Sequence, residues 1–367
     1  MDERFYGLDF ARCFAMLMGL VIHAPIVFMI EDVTGNKFTR FDSDLVSFIV
    51  GWIHLWRMPL FFLLSGFFAQ LVLQKKGVFC FLKDRFVRIF LALIFFSSIT
   101  NVIYGQDFGE IGHLWFLYYL ILISLTAIPI YALAQACNIS HLFAKYFKRI
   151  LVKLSFCLIV FFLLILLTSV ARINSFEAII PESFSDIKIF SLVYYFIWFI
   201  LGQIILKNSD ILDFISTTTK VLFLSITSVL LVVCFMALFS YSHENQIISG
   251  YFWQLNFLST LTSIAWVSFV LGLSHKLIKA PSKTLSFFLE LSYPTYILHM
   301  IPSVCFGIAM YHAGFNDMQM MIPNIMLSGL SSLILYFIFI KYTPLNWFVN
   351  GYKHSWFQFR RLPTTKA

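Results

Sequence analysis

Long, nearly uninterrupted apolar runs, separated by short polar stretches, dominate the chain. A run of about 20 apolar residues can cross the hydrocarbon core of a bilayer as a helix. Because the runs are continuous rather than alternating, they indicate helices and not the strands of a barrel. Ten such segments are predicted, at residues 8–30, 45–73, 84–104, 113–135, 150–171, 187–206, 219–240, 252–274, 284–310 and 321–342.

The polar stretches between these segments alternate in charge along the chain. One set is rich in Lys and Arg, including residues 75–88 and 353–366, whereas the other set carries mostly Asp and Glu. Cytoplasmic loops carry the excess of Lys and Arg, so both termini are predicted to be cytoplasmic. We therefore expect an all-α integral membrane protein, a bundle of about ten transmembrane helices. A single transmembrane domain at 1–345 precedes a short basic cytoplasmic tail at 346–367.

The first apolar segment carries three ionisable residues, Asp9, Arg12 and His23. At about 100° per residue, the step from Arg12 to His23 returns to nearly the same face of a helix. Asp9 lies one turn before Arg12 and can pair with it. Ionisable groups inside a membrane are costly, which favours a functional site. The alternative is that Arg12 reaches the headgroups while His23 only packs against its neighbours.

The second segment carries His54 and Arg57 one turn apart, followed by the small pair Ser65-Gly66. The small pair offers a surface for close packing of another helix. The segment itself contains no acid, so a buried Arg57 needs a carboxylate from another helix or an anionic ligand. A structural cation held by backbone carbonyls and Asp9 is the alternative.

Polar residues also mark the ends of two further segments. Arg85 and Arg88 stand three residues apart at the start of the third segment and could bind phosphates as a pair. Such a pair is also typical of a cytoplasmic anchor. His113 and Trp115 open the fourth segment, a pattern typical of an interfacial aromatic belt or of a platform for a sugar ring.

The ninth segment combines Pro294, Tyr296 and His299 within an apolar stretch. Pro294 removes a backbone donor, and a broken membrane helix that bears polar groups usually lines a cavity. The alternative is a proline kink next to a buried His299 that is bonded to the neighbouring turn.

The composition agrees with a membrane protein and restricts the possible partners. The chain is 60% hydrophobic and only 12% charged, against about 25% charged residues in soluble domains. Its formal charge of +8 lies mainly in the loops and does not indicate nucleic-acid binding. The six cysteines are scattered, with neither a CxxC motif nor a His–Cys spacing, so no disulfide framework and no metal site are predicted.

Several motifs, taken in order, resemble the acyltransferase-3 family of integral membrane O-acyltransferases. They are Leu8-Asp9-Phe10-Ala11-Arg12 with His23, Phe61-Phe62-Leu63-Leu64-Ser65-Gly66-Phe67, Arg85-x-x-Arg88 and Ser292-Tyr293-Pro294-Thr295-Tyr296-Ile297-Leu298-His299. The shorter motifs His54-x-x-Arg57 and His113-Leu114-Trp115-Phe116-Leu117 are similar to the glucan-biosynthesis branch, whose members succinylate periplasmic glucans. The resemblance covers essentially the whole chain and implies a multi-pass protein of a bacterial inner (plasma) membrane.

The resemblance also implies an activity, the transfer of an acetyl or succinyl group from cytoplasmic acyl-CoA to a hydroxyl of an extracytoplasmic glycan. His23 would act as the general base or, alternatively, as a transient acyl carrier. Arg57 would stabilise the oxyanion or bind the free carboxylate of a succinyl donor. The residues expected to bind acyl-CoA are Arg12, which is also a catalytic candidate, Arg85 and Arg88. Those expected around the acceptor are Asp9, His54, His113, Trp115, Tyr296 and His299.

The expected partners are acyl-CoA as the donor substrate, a glycan or glycolipid acceptor, and membrane lipid. No tightly bound cofactor, metal or nucleic acid is expected, and the sequence predicts no oligomeric state. A transporter or flippase for an anionic lipid or glycan is the alternative, because broken helices and arginines in mid-membrane also suit that class. No internal repeat of the kind found in many transporters is visible in the sequence.

Overall fold

The computed structural model describes residues 5–30, 41, 43–136, 154–172, 180–245 and 247–351. Helices make up its regular elements, and no β-strand occurs within these ranges. The α-helices are α1 (Tyr6–His23), α2 (Asp44–Arg85), α3 (Ala92–Tyr104), α4 (Trp115–Ala136), α5 (Leu154–Arg172), α6 (Ile189–Lys207), α7 (Asp210–Ile215), α8 (Thr218–Glu244), α9 (Phe252–Leu277), α10 (Lys283–Leu298), α11 (Met300–His312), α12 (Asp317–Leu335) and α13 (Asn346–Val349). Three 3-10 helices lie at Ile26–Met29, Gly112–Leu114 and Ile248–Tyr251, and two π-helices at Phe86–Leu91 and Tyr336–Ile340.

Seven helical stretches in the described part of the chain are long and apolar enough to cross a membrane. They are Tyr6–His23, Asp44–Tyr104, Gly112–Pro129, Ile189–Lys207, Thr218–Glu244, Phe252–Leu277 and Asp317–Ile340. The stretch Asp44–Tyr104 has 61 residues and covers two predicted segments, with the non-helical Gly77 (φ 78°, ψ 175°) between them. The chain is therefore an all-α, multi-pass membrane protein. The count of ten and the cytoplasmic termini stay predictions; residues 150–153 and the tail residues 352–367 lie outside the described residues.

The first helix is shorter than the sequence predicts. α1 ends at His23, and the chain passes through a turn into the 3-10 helix Ile26–Met29, so the prediction of one continuous helix over 8–30 is wrong. The cause is Pro25, which has no N–H to donate and disfavours the helical conformation of the residue before it. His23 therefore occupies the last position of α1.

The interruption in the ninth predicted segment lies at His299 and not at Pro294. α10 runs through Pro294 as far as Leu298, and α11 begins at Met300. Pro302, in the first turn of α11, has no N–H with which to bond the carbonyl of Leu298. The expectation of an interruption is thus correct, but the proline that accounts for it is the later one.

The chain divides into two compact units, each built from several segments. Unit 1 comprises Met1–Ala15, Gly51–Phe81 and Tyr119–Pro281, and unit 2 comprises Met16–Val50, Leu82–Tyr118 and Ser282–Ala367. The predicted single domain at 1–345 stays a prediction.

A close crossing of α2 and α6 organises unit 1. A Cβ atom placed on Gly66 would overlap the carbonyl oxygen of Phe199, and one placed on Gly202 would overlap the carbonyl oxygen of Leu63. Small residues allow two membrane helices to approach until their backbones touch. The predicted role of Ser65-Gly66 as a close-packing surface is therefore confirmed.

Partly buried polar contacts join α10 to the second π-helix within unit 2. The Tyr336 hydroxyl, from the second π-helix, donates to Glu290 Oε1 of α10 at 2.9 Å. Asn350 Nδ2 donates to the same hydroxyl at 2.9 Å, and Lys341 Nζ lies 3.6 Å from Glu290 Oε1. These contacts join the middle of α10 to the second π-helix, two turns before Tyr296 on the same helix.

Candidate functional site

Three histidines from distant parts of the sequence meet in unit 2. The ring centroids of His23 and His299 are 5.2 Å apart, and those of His113 and His299 are 5.9 Å apart. Tyr296 joins the group, with its ring centroid 5.4 Å from that of His299 and 6.3 Å from that of His113. We call these four side chains the histidine cluster. Three of its members were assigned to the acceptor and one to catalysis, and the structure brings all four together.

Backbone carbonyls at the end of α10 determine which ring nitrogens are protonated. The carbonyl oxygen of Tyr296 lies 2.6 Å from His299 Nδ1, and that of Ile297 lies 3.3 Å from His113 Nε2. A carbonyl can only accept, so each of these nitrogens is the donor. The Tyr296 hydroxyl in turn donates to the carbonyl of His113 at 3.2 Å. The alternative expected for His299, a bond to the neighbouring turn, is therefore present.

The end of α1 is attached to the same region by Asn324, a residue that the sequence analysis did not single out. Its fully buried side chain donates through Nδ2 to the carbonyl oxygens of Ala24 at 2.7 Å and Ser303 at 3.0 Å. The Ser328 hydroxyl donates to Asn324 Oδ1 at 2.7 Å. Asn324 thereby satisfies a carbonyl that α1 leaves without a helical partner directly after His23. The sequence did offer one signal of this role, because Asn324 is a polar amide residue within the predicted apolar segment 321–342.

Among the residues that the structure describes, no group of three or more His, Cys, Asp and Glu side chains has an arrangement able to hold a metal ion. This holds for the histidine cluster as well. In two of its rings, those of His113 and His299, one nitrogen is hydrogen-bonded to a backbone carbonyl.

Unit 1 contains the predicted pair of Asp9 and Arg12. Arg12 Nη2 lies 3.3 Å from Asp9 Oδ1, and Asp9 is buried. The guanidinium carbon of Arg12 also lies 4.7 Å from the ring centroid of Phe68, a cation–π contact. About a third of the Arg12 side chain is exposed, so it can still meet a further anionic group.

Arg57 is the most deeply buried of the candidate cations in unit 1, with 3% of its surface exposed. Its Nη2 atom lies 3.6 Å from the sulfur of Met58, a weak acceptor. Its Nε and Nη1 atoms are buried without a hydrogen-bond partner anywhere in the described ranges. No described carboxylate pairs with it, so the alternative of a cation held by Asp9 is not seen. His54 lies half-buried one turn earlier on α2.

Two tryptophans of α2 and one of α9 pack together next to Arg57 in the chain and form what we call the tryptophan cluster, Trp52, Trp56 and Trp266. Their ring centroids are 5.0 to 6.1 Å apart. Trp266 donates its indole N–H to the carbonyl of Ser228 at 3.1 Å. The indole nitrogens of Trp52 and Trp56 are buried without an acceptor in the part of the chain that the structure covers. Together with Arg57, this short stretch of α2 thus presents several donors that lack an acceptor.

Arg85 and Arg88 lie on either side of a change in helix type. Arg85 ends α2, whereas Arg88 belongs to the π-helix Phe86–Leu91, so their predicted shared face cannot be derived from α-helical spacing. Arg88 is half-buried, with Nη1 3.6 Å from Asp84 Oδ1 and Nη2 donating to the carbonyl of Val349 at 3.4 Å. The Tyr293 hydroxyl donates to the carbonyl of Arg88 at 2.7 Å. Phosphate binding by this pair stays a prediction.

Trp115 follows the 3-10 helix Gly112–Leu114 and opens α4. Only 4% of its surface is exposed, which places the indole inside unit 2. A member of an interfacial belt exposes its ring to lipid headgroups, and a sugar platform must be open to its ligand. So complete a burial does not suit an interfacial belt, and the assignment of Trp115 to the acceptor stays a prediction.

Comparison with known proteins supplies the family. A family profile described as an acyltransferase domain matches residues 5–341. The proteins named Glucans biosynthesis protein C from Salmonella heidelberg (strain SL476), Salmonella paratyphi B (strain ATCC BAA-1250 / SPB7) and Salmonella enteritidis PT4 (strain P125109) are each 24% identical over 379 residues. Each alignment covers 95% of this chain and 95% of the relative. No solved structure gives a significant match.

The matched range contains every candidate residue described above, from Asp9 to His299. The relatives also confirm the resemblance to the glucan-biosynthesis branch that the His54 and His113 motifs indicate. This chain therefore belongs to the acyltransferase-3 family of membrane proteins and is an O-acyltransferase.

Proposed function

We propose that this enzyme moves an acetyl or succinyl group from cytoplasmic acyl-CoA to a hydroxyl of an extracytoplasmic glycan, with His23 as the general base. The observation that carries the proposal is the histidine cluster, which gathers His23, His113, His299 and Tyr296 inside one unit of a helical membrane protein. Ionisable side chains are costly in such an interior and usually serve chemistry or transport. Membership of an acyltransferase family favours chemistry.

The proposed step needs a base because a sugar hydroxyl is a poor nucleophile near neutral pH. A neutral imidazole of His23 takes the hydroxyl proton as the oxygen attacks the thioester carbonyl carbon. The carbon–oxygen bond forms, the carbon–sulfur bond breaks, and the imidazolium passes its proton to the departing sulfur. The products are a glycan ester and the free thiol of CoA.

Donor binding is assigned to the arginines, since guanidinium groups are preferred partners of phosphates and CoA carries several. Arg85 and Arg88 lie in a Lys/Arg-rich part of the sequence, which supports a cytoplasmic site at a bacterial inner membrane. Arg12 retains partial exposure despite its pairing with Asp9. The printed name of the Salmonella relatives supports a glucan as the acceptor.

Donor preference is expected to depend on Arg57. Its two unpartnered donor atoms suit the free carboxylate of a succinyl group. We expect Arg57→Met to lower the ratio of kcat/KM for succinyl-CoA to that for butyryl-CoA by about 100-fold or more, because a polar site strongly rejects an analogue that lacks its partner. Butyryl-CoA has nearly the same length but no charge. The measurement is CoA release by purified full-length protein in proteoliposomes.

The matched control is Lys276→Met, which removes a half-buried cation from the same unit, one that donates to the Thr218 hydroxyl, and should leave the donor ratio unchanged. An equal loss with both donors would assign Arg57 to the oxyanion of the thioester instead. If neither donor is affected, Arg57 has no role toward the donor.

The proposed activity is tested by mass spectrometry of envelope glycans from the host with and without the gene. Deletion should remove one acetyl or succinyl mass increment per modified sugar, and complementation should restore it. Unchanged glycan masses, together with altered export of an anionic lipid or glycan, would contradict the proposal and favour a transporter.

A further inference from the structure

We infer that Ser263 of α9 is a positioning residue for Arg57 of α2, because its hydroxyl replaces the backbone donor that Pro59 removes from the same helical turn. The effect passes through the backbone of α2 and not through contact with the donor substrate. The inference deepens the proposed function, on which it rests for the role of Arg57 toward the donor carboxylate.

The proline in α2 leaves one backbone carbonyl without its helical partner. In an α-helix the N–H of residue 59 would donate to the carbonyl of Leu55, and Pro59 has no N–H. Leu55 is 0% exposed, so water does not take the place of that donor. A buried carbonyl without a donor is costly, and a membrane helix that contains a proline therefore takes a donor from a neighbouring helix or side chain.

Ser263, which is 0% exposed, supplies that donor from α9. Its Oγ atom lies 2.5 Å from the carbonyl oxygen of Leu55 and 2.8 Å from that of Ser259 in its own helix. A hydroxyl has a single proton to donate. The carbonyl of Ser259 is the helical acceptor for the N–H of Ser263, whereas Leu55 has lost its helical donor to Pro59. The proton is therefore assigned to the bond with Leu55.

Arg57 lies on the turn that this bond restores. It stands midway between Leu55 and Pro59 in the chain, and α2 keeps helical backbone angles there, since its non-helical residue is the much later Gly77. A proline inside a helix ordinarily kinks the turn before it. The bond from Ser263 therefore helps to hold this turn in α-helical form, and the turn sets the direction of the Arg57 side chain.

A second contact of α9 falls on a different face of α2 from Arg57. The ring centroid of Trp266, one turn after Ser263, lies 5.0 Å from that of Trp52 and 6.1 Å from that of Trp56. At about 100° per residue, Trp52 and Trp56 share one face of α2, and Arg57 projects about 100° away from Trp56. Two nitrogen atoms of Arg57, Nε and Nη1, are buried without a hydrogen-bond partner in the described ranges. Opening the turn would move these donors relative to a bound carboxylate.

The test measures the ratio of kcat/KM for succinyl-CoA to that for butyryl-CoA in Ser263→Ala, with the full-length protein in proteoliposomes. We expect the ratio to fall by about tenfold, because a misplaced guanidinium penalises only the donor whose carboxylate it binds. The matched control is Ser259→Ala, which removes a buried hydroxyl one turn earlier on α9 that donates to the carbonyl of Asn256 in its own helix. This control should leave the ratio unchanged. An unchanged ratio in Ser263→Ala, whether or not both rates fall, would overturn the inference and leave Ser263 with a purely structural role.

A second readout does not depend on activity. Hydrogen–deuterium exchange, measured by mass spectrometry on peptides that contain residues 55–60, reports how often this turn opens. Exchange there should be several-fold faster in Ser263→Ala than in the wild type and in Ser259→Ala. In a Pro59→Ala background the N–H of residue 59 can bond the carbonyl of Leu55, so Ser263→Ala should add no further increase. Equal exchange in Ser263→Ala and the wild type would contradict the bond to Leu55.

The two proposals fail in different ways. If the wild-type protein forms no glycan ester, the proposed function fails, and the exchange rates still decide whether Ser263 holds the turn. If the ester forms and the donor ratio responds to Arg57→Met but not to Ser263→Ala, the proposed function stands and the inference fails.

Discussion

His23→Ala should abolish acylation of the host's envelope glycans while the protein still inserts and folds. The expected fall in kcat is about 10²- to 10⁴-fold, the contribution typical of a positioned general base. His23 is half-buried at the end of α1, and its backbone lies within a helix that alanine favours, so the substitution should disturb the fold little. The measurement is the mass of glycans from a deletion strain that expresses the variant.

The matched control is His243→Ala, which removes an exposed histidine from α8 and should leave glycan masses unchanged. The same variants separate the base from the acyl carrier. With labelled donor and no acceptor, a base leaves the protein unlabelled, whereas a carrier accumulates an acyl group on His23. Full glycan acylation by His23→Ala would contradict both roles.

Gly66→Ala should be strongly destabilising even though it adds a single methyl group. The new Cβ atom would overlap the Phe199 carbonyl oxygen of α6, and a backbone atom cannot rotate away as a side chain can. We expect the free energy of unfolding to fall by about 2–3 kcal/mol, the cost typical of overpacking a well-packed interior. Gly202→Ala should behave similarly, because its Cβ atom would overlap the Leu63 carbonyl oxygen across the same crossing. Thermal unfolding of the detergent-solubilised protein measures both.

Gly329→Ala is the control for this prediction. Gly329 lies inside α12, and the nearest atom to an added Cβ atom is Leu20 Cδ1 at 3.9 Å, an ordinary contact. The substitution should be neutral or stabilise the protein by up to about 1 kcal/mol, since alanine favours helix over glycine. A Gly66→Ala protein as stable as Gly329→Ala would show that α2 and α6 can separate at little cost.

Local features of the fold could be predicted from the sequence because they depend on residues a turn or two apart. The pairing of Asp9 with Arg12 follows from helical geometry, and the small pair Ser65-Gly66 identifies one side of a close crossing. The other side of the crossing is Gly202. It is one glycine among many, and no second small residue stands next to it in the sequence. The true end of α1 was signalled by Pro25, but the apolar residues beyond it obscured that signal.

The histidine cluster could not be assembled from the sequence, although each of its members was identified. How the end of α1, the 3-10 helix Gly112–Leu114 and the end of α10 meet depends on tertiary packing, and no local spacing encodes it. The contribution of Asn324 was missed for the same reason, since its two acceptor carbonyls belong to Ala24 and Ser303. The sequence also could not show that Pro302, and not Pro294, accounts for the break between α10 and α11. That depends on which of the two prolines lies in the first turn of a helix.

The tryptophan cluster gives this enzyme an optical signal of its own. Indole rings whose centroids are 5.0 to 6.1 Å apart couple their electronic transitions, so Trp52, Trp56 and Trp266 should produce a strong near-ultraviolet circular dichroism band. Trp56 precedes Arg57 directly in the chain, and an anion that pairs with Arg57 changes the electric field at the neighbouring indole. On the proposal that Arg57 pairs with the donor's carboxylate, occupancy by unlabelled succinyl-CoA is expected to change this band in the native chain, without an attached dye.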